Sequence, residues 1–334
     1  MKLVSMLLLI APAVAQTWVV QTSGTPASLR GISAVDAKLA WASGSGGTYL
    51  KTADGGATWK SAKVSGADDL DFRDVQAFPG QTAYLLSAGP GNKSRIYKTA
   101  DGGARWTLQF TNPDPNGFFD AMAFWDARRG ILVGDPVEGH FAVFTTSDGG
   151  DHWQRRPTPD AMAQEGAFAA SGTCLVSAGT REAWFATGGP QGSRVFHTRD
   201  GAASWTVAAT PIRNDGPAAG IFSLAFSGPR RAVAVGGDYT KPEDALRNVA
   251  ITADGGQSWT EPAGAHPGGF RSAVAYLRDR KMWIAVGTSG SDVSTDGGKT
   301  WKQFDSAAYN AIGFVSSLAG WAVGPRGRIA RFQP

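Results

Sequence analysis

TADGGATW, residues Thr52–Trp59, has five near copies further along the chain. TADGGARW ends at Trp106, TSDGGDHW at Trp153, TRDGAASW at Trp205, TADGGQSW at Trp259 and STDGGKTW at Trp301. Their aspartates, Asp54, Asp101, Asp148, Asp200, Asp254 and Asp296, recur every 42 to 54 residues. The intervals share one grammar. In the second, DFRDVQAF, TAYLLSAG, SRIYKT and RWTLQF follow one another, with DGG between the third and fourth. In the sixth the series is FRSAVAYL, KMWIAVG, SDVST and TWKQF. A unit of four short antiparallel strands cannot bury both faces alone, and stacking such units around an axis solves this. Periods of this length, filled with strands rather than helices, predict propeller blades.

Six boxes predict six complete blades. AIGFVS, GWAVGP and GRIARFQP after Trp301 supply three more strands without a fourth. TWVVQT, Thr17 to Thr22, resembles the fourth strands of the other units and supplies the missing one, with Trp18 where they carry the Trp of the box. The expected fold is all-β: a seven-bladed propeller with four-stranded antiparallel blades, its ring closed by the N-terminal strand in the last blade. Closure also removes the exposed sheet edges that would template aggregation. Residues 16–334 form one domain on this reading.

The opening MKLVSMLLLIAPAVAQ has a basic start at Lys2, an apolar run from Leu3 to Ile10 and small residues at Ala13 and Ala15. These are the parts of a secretory signal peptide, residues 1–15, cut after Ala15. An exported protein, periplasmic or secreted, is expected. No later run is apolar enough to span a membrane. The one cysteine, Cys174 in the apolar SGTCLV, permits no internal disulfide and is expected to be buried. The formal charge of +4 is small and dispersed, so nucleic acid is not an expected partner. A monomer is expected.

The six boxes fit Ser/Thr-x-Asp-x-Gly-x-Thr-Trp loosely and so resemble the Asp-box, or BNR, repeat of sialidases, sortilin-like receptors and related propellers. The compact seven-blade layout most resembles the photosystem II stability/assembly-factor-like family, in its bacterial exported branch. SRIYKTADGG, FTNPDPNGFFDAMAFWD, IFSLAFSG and GWAVGPRGRIARF carry that resemblance over the mature chain. It implies a role in assembly or stabilisation of a protein complex, with a fold that does not itself carry a chemistry.

The box residues account for themselves as a turn. The aspartate accepts hydrogen bonds from following backbone N–H groups, glycine supplies positive φ, and Trp59, Trp106, Trp153, Trp205, Trp259 or Trp301 covers the turn. Ala202 in the fourth copy implies that only the first glycine needs unusual backbone angles. One aspartate per loop is too few ligands for Ca²⁺. His140, His152, His197 and His266 show no metal-ligand spacing, and no nucleotide fingerprint is present, so neither metal nor cofactor is expected.

Function is expected on the opposite face, where loops join blades and connect second strands to third. Matching the inner strands by their apolar pattern aligns Arg30, Arg73 and Arg271, and one place later Asp74, Asp120 and Asn310. A polar ring at the channel mouth follows, with Asp135, Glu138, His140, Glu165, Asp238, Tyr239 and Lys241 in neighbouring loops. The ring suits a protein, peptide or glycan ligand. The alternative is a glycoside hydrolase of sialidase-like or related type, with its paired carboxylates among Asp74, Asp120 and Glu165. The Arg-Ile-Pro signature of sialidases is absent.

Overall fold

The computed structural model describes residues 16–334, so the expected signal peptide lies outside the described residues. Seven antiparallel sheets span 29–63, 72–111, 119–155, 175–209, 219–252, 273–305 and 311–333, the last joined by Thr17–Gln21. We number these blades one to seven. Within a blade the second strand is the most consistently buried and the rim strand the least. The inner strand of blade three, Phe119–Phe124, and the second strand of blade one, Ala40–Gly44, are buried throughout. The outermost strand of blade one, Lys60–Lys63, is wholly exposed. Strands covered on both faces by neighbouring blades read as continuous apolar runs, which is why AWASG and FDAMAF do not alternate.

No central core exists. The buried side chains fall into seven clusters, one at each seam between adjacent blades. The seam of blades seven and one, for example, packs Trp59 and Leu50 against Trp321 and Val323. Each blade is therefore held by its neighbours, as expected for a repeat that cannot bury its own faces.

Thr17–Gln21 pairs with Ile329–Gln333, from Thr17 opposite Gln333 to Gln21 opposite Ile329. Trp18 stands opposite Phe332, in the place Trp59 takes beside Thr52, so Phe332 occupies the position of the box threonine and blade seven has no box. The closing strand also reaches both neighbours. Trp18 Nε1 donates to Ser291 Oγ of blade six at 3.0 Å, and Gln21 Oε1 accepts from Trp59 Nε1 of blade one at 2.9 Å.

Blade five departs from the expected four strands. Its sheet has three, and the fourth segment is reduced to one residue pair, with Ile251 and Thr260 exchanging two backbone hydrogen bonds of 2.9 Å. Pro262 follows two residues later and has no N–H to continue the ladder.

The six boxes form one repeated staple. The Thr or Ser hydroxyl donates to the Asp Oδ1 at 2.7–2.9 Å and accepts the N–H four residues on at 2.8–3.1 Å. Asp Oδ1 accepts a second N–H four residues beyond itself at 2.9–3.0 Å. The glycine expectation needs correcting. Ala202 itself stands at φ 68, and the second glycine of the other five boxes lies at φ 85 to 96. Both positions are left-handed, and Ala202 holds this backbone because its N–H is fixed to Thr198 Oγ1 at 3.0 Å. At Gly56 a Cβ would come within 2.8 Å of Trp321 Nε1 on the preceding blade, so there the side chain is excluded as well.

Two tests follow from this architecture. Trp18→Ala removes the aromatic centre of the seam of blades six and seven and should cost about 3–5 kcal/mol in denaturant unfolding. In the first box, the Thr58 hydroxyl, the Thr58 N–H and the Thr52 hydroxyl hold Asp54 at about 2. A depressed carboxylate stabilises the fold above its ordinary range and loses that contribution as pH falls through the folded value. Asp54→Ala should therefore lower Tm at pH 7, with the difference from wild type closing between about pH 4 and pH 2.

Candidate functional site

Six of the seven blades place one residue at the channel beside their inner strands, four of them through a common irregularity. In blades one, two, three and five the ladder skips a residue between the first and second strands: Arg30, Arg73, Asp120 and Phe222. The extra residue of a β-bulge leaves the pairing and re-aims its side chain. Ser272 and Asn310 hold the corresponding place just before the inner strands of blades six and seven, where their N–H groups donate to Val286 and Val323. These six residues line a cavity of about 1070 Å³ at the mouth of the channel, opposite the boxes.

The bulge corrects the expected alignment. Arg271 is not at the mouth. Its N–H bonds Gly236 O of the preceding blade, as Leu29 bonds Gly324 O and Tyr309 bonds Gly287 O, so it takes the buried position before the ring. Its guanidinium is wholly buried on Asp292 at 2.5 Å. Asp74 lies one place after the ring and outside the cavity lining. Its Oδ2 accepts the Met122 N–H at 2.9 Å and ties blade two to blade three, packed so closely on Gly172 that a Cβ there would clash. Asp120 is level with Arg30 and Arg73, not one place later.

The remaining expected residues divide. Asp135 lines the cavity, its Oδ1 accepting the Ala167 N–H at 3.0 Å. Asn310 also lines it while donating to Leu29 O at 2.8 Å. Tyr239 stands half exposed on the wall. Asp238 and Lys241 pair with each other at 3.5 Å outside the lining. His140 pairs with Asp160 at 3.0 Å on the exposed surface, beside Glu138 in its turn. Glu165 borders the cavity, but its carboxylate is occupied. It accepts from Arg194 Nε at 2.9 Å, Thr187 Oγ1 at 2.6 Å and the Met162 N–H at 2.8 Å. Neither Asp74 with Asp120 nor Asp120 with Glu165 thus forms two free facing carboxylates.

What apolar matching missed is the aromatic wall. Phe168 stacks on Phe222 at 3.9 Å, and Phe270 meets Phe222 edge-on at 4.7 Å. Phe168 comes from the long connection between blades three and four, which Glu165 and Arg194 hold in place. Arg213, also unanticipated, clamps Asp215 at 2.8 Å and Asp244 on the neighbouring rim loops.

The charges of the cavity are asymmetric. Arg73 donates to Asp71 at 2.8 Å and to Ala169 O at 3.3 Å. Arg30 makes no ion pair among the described residues, and its buried Nε has no hydrogen-bond partner. Burial first, and then the neighbouring Arg73, hold Arg30 below the usual arginine range. Burial pushes the Asp120 carboxyl well up, and Asp135 adds to this. Burial also raises Asp135, to about 6. Two cations thus face two acids whose carboxyl groups burial pushes up. Among the described residues no group of three or more His, Cys, Asp or Glu side chains is placed to hold a metal ion, and no helix is long and apolar enough to cross a membrane.

A family model for the BNR/Asp-box repeat matches residues 292–303, the sixth box. The fold is a seven-bladed propeller, and the family match falls on its sixth box. No curated protein matches it in sequence. Among solved structures, YCF48 bound to D1 peptide superposes with a TM-score of 0.68 at 20% identity, over 98% of this chain and 100% of that one. YCF48 from Cyanidioschyzon merolae gives 0.67 at 19% identity, over 96% and 99%. The WD40 propeller domain of Doa1 gives 0.65 at 11%, over 96% and 98%. At these identities the likeness is one of fold.

Asp74 offers a test of its inter-blade role. Burial raises it to about 7. A carboxyl raised on folding holds its proton more tightly in the native state, so stability is intact below the ordinary range and declines as pH rises through the folded value. Asp74→Asn keeps an oxygen for the Met122 N–H and loses that titration. Wild-type Tm should fall more between pH 5 and pH 8 than the Tm of the variant.

Proposed function

We propose that this protein is a non-enzymatic binding and assembly propeller that takes an extended peptide segment of a partner protein in the cavity on its loop-rich face. One observation carries the reading: Arg30, a largely buried guanidinium without a carboxylate partner among the described residues, opens into a cavity of about 1070 Å³. A buried charge without a partner is costly, and a ligand carboxylate or peptide carbonyls would satisfy it. Arg73 beside it adds a second fork, and the stacked Phe168 and Phe222 offer an apolar side chain a flat seat. An apolar wall with a few convergent polar groups is the usual form of a binding site. The likeness to YCF48, solved with a D1 peptide, supports the same reading. Export to the periplasm or beyond belongs to the proposal and rests on residues 1–15. Among the described residues lining the cavity, a glycosidase would draw its carboxylates from Asp120, Asp135 and Glu165, the last held by Arg194.

The test is affinity capture from the native envelope fraction, followed by anisotropy measurements on labelled peptides from the captured partner. Arg30→Ala/Arg73→Ala should weaken binding by about 2 kcal/mol or more, and Phe222→Ala by about 1 kcal/mol. Retention of wild-type affinity by the double variant would remove the cavity from the interaction. Turnover of aryl glycosides that collapses in Asp120→Asn would replace binding with hydrolysis.

A further inference from the structure

The box face has an opening of its own. Blade three has the shortest outer strand of any four-stranded sheet here, Gln154–Arg155, which covers only Phe144 and Thr145 of the strand beneath it. The gap it leaves toward blade four is a cleft of about 580 Å³. Three arginines from three separate segments line it: Arg129 from the first turn of blade three, Arg156 from just past the short outer strand, and Arg181 from the first turn of blade four. Arg129 pairs with Asp126 at 2.6 Å. The other two make no ion pair among the described residues. Arg156 is half-buried and spends only its Nε, on Thr145 Oγ1 at 2.7 Å. Arg181 spends one Nη2 bond on Asp200 O at 2.8 Å.

The acids facing them are already engaged. Asp148 accepts from the Thr146 hydroxyl at 2.9 Å, the His152 N–H at 3.0 Å and the His152 ring at 2.7 Å. Ser147 and Thr180 add hydroxyl groups, and Trp125 forms an apolar wall with its Nε1 committed to Glu182 O at 2.7 Å. Guanidinium groups from separate segments, hydroxyl donors and one flat apolar side match an oxyanion attached to a small organic group.

We infer that this cleft binds the phosphate group of a small ligand, independently of the cavity on the opposite face. A free phosphate ester and a lipid headgroup present the same chemistry, and the experiment separates them. Calorimetric titration with inorganic pyrophosphate and with glycerol 3-phosphate, at ionic strength matched with sodium chloride, should show saturable binding in the millimolar range or tighter. Arg156→Gln should weaken it about tenfold, as should Arg181→Gln, while Arg30→Ala/Arg73→Ala leaves it unchanged. Cosedimentation with phosphatidylglycerol vesicles, against phosphatidylcholine vesicles, forms the second arm. Retention lost in Arg156→Gln assigns the group to a lipid, and soluble binding without retention assigns it to a free ligand. Absence of both, or equal binding by wild type and two folded Arg156 and Arg181 variants, overturns the proposal.

Discussion

The molecule depends on one antiparallel pairing, that of Thr17–Gln21 with Ile329–Gln333. All the other blades form from segments close in sequence. This one joins the two ends of the described chain, and without it blade seven would lack its rim strand and expose an edge. Its side chains lock more than its own sheet, because Trp18 binds blade six and Gln21 binds blade one. Since each seam has its own apolar cluster, a ring missing one seam loses a full share of the hydrophobic stabilisation.

The closed ring separates two kinds of loop. On one face the boxes consume their own polar groups, and each second glycine lies close enough to the preceding blade to transmit its position. On the other face, bulges in four blades turn an inner-strand residue toward the axis. Regularity on the first face makes irregularity on the second tolerable: the buried carboxylates and guanidiniums there are held by a frame that does not need their stabilisation. The long connection between blades three and four exploits this, reaching across the cavity mouth to place Phe168 while the Glu165–Arg194 pair anchors it.

Much of the fold was legible because its signals are local. The boxes count the blades, and TWVVQT announces itself as a displaced rim strand. The site was legible only in part. Arg30, Arg73, Asp120 and Asn310 were found from polarity within apolar strands. Arg271, Asp120 and Asn310 were each aligned one residue out of step, since a bulge present in some blades and absent from others shifts the phase of the two-residue alternation without changing composition. Phe222 and Phe168 were passed over because an aromatic residue in an apolar strand looks the same whether it faces a seam or a cavity.

The chain alone determined the blade number, the closure and the staple at every box, because these rest on contacts a few residues apart or on a repeat that declares its own period. Tertiary structure decided which charges meet. Glu165 finds Arg194, Arg271 finds Asp292 and Arg30 finds no carboxylate among the described residues, through contacts between segments that the ring brings together from separate blades and loops. Burial, which exists only once the seams close, then pushes the carboxyl groups of Asp74, Asp120 and Asp135 up.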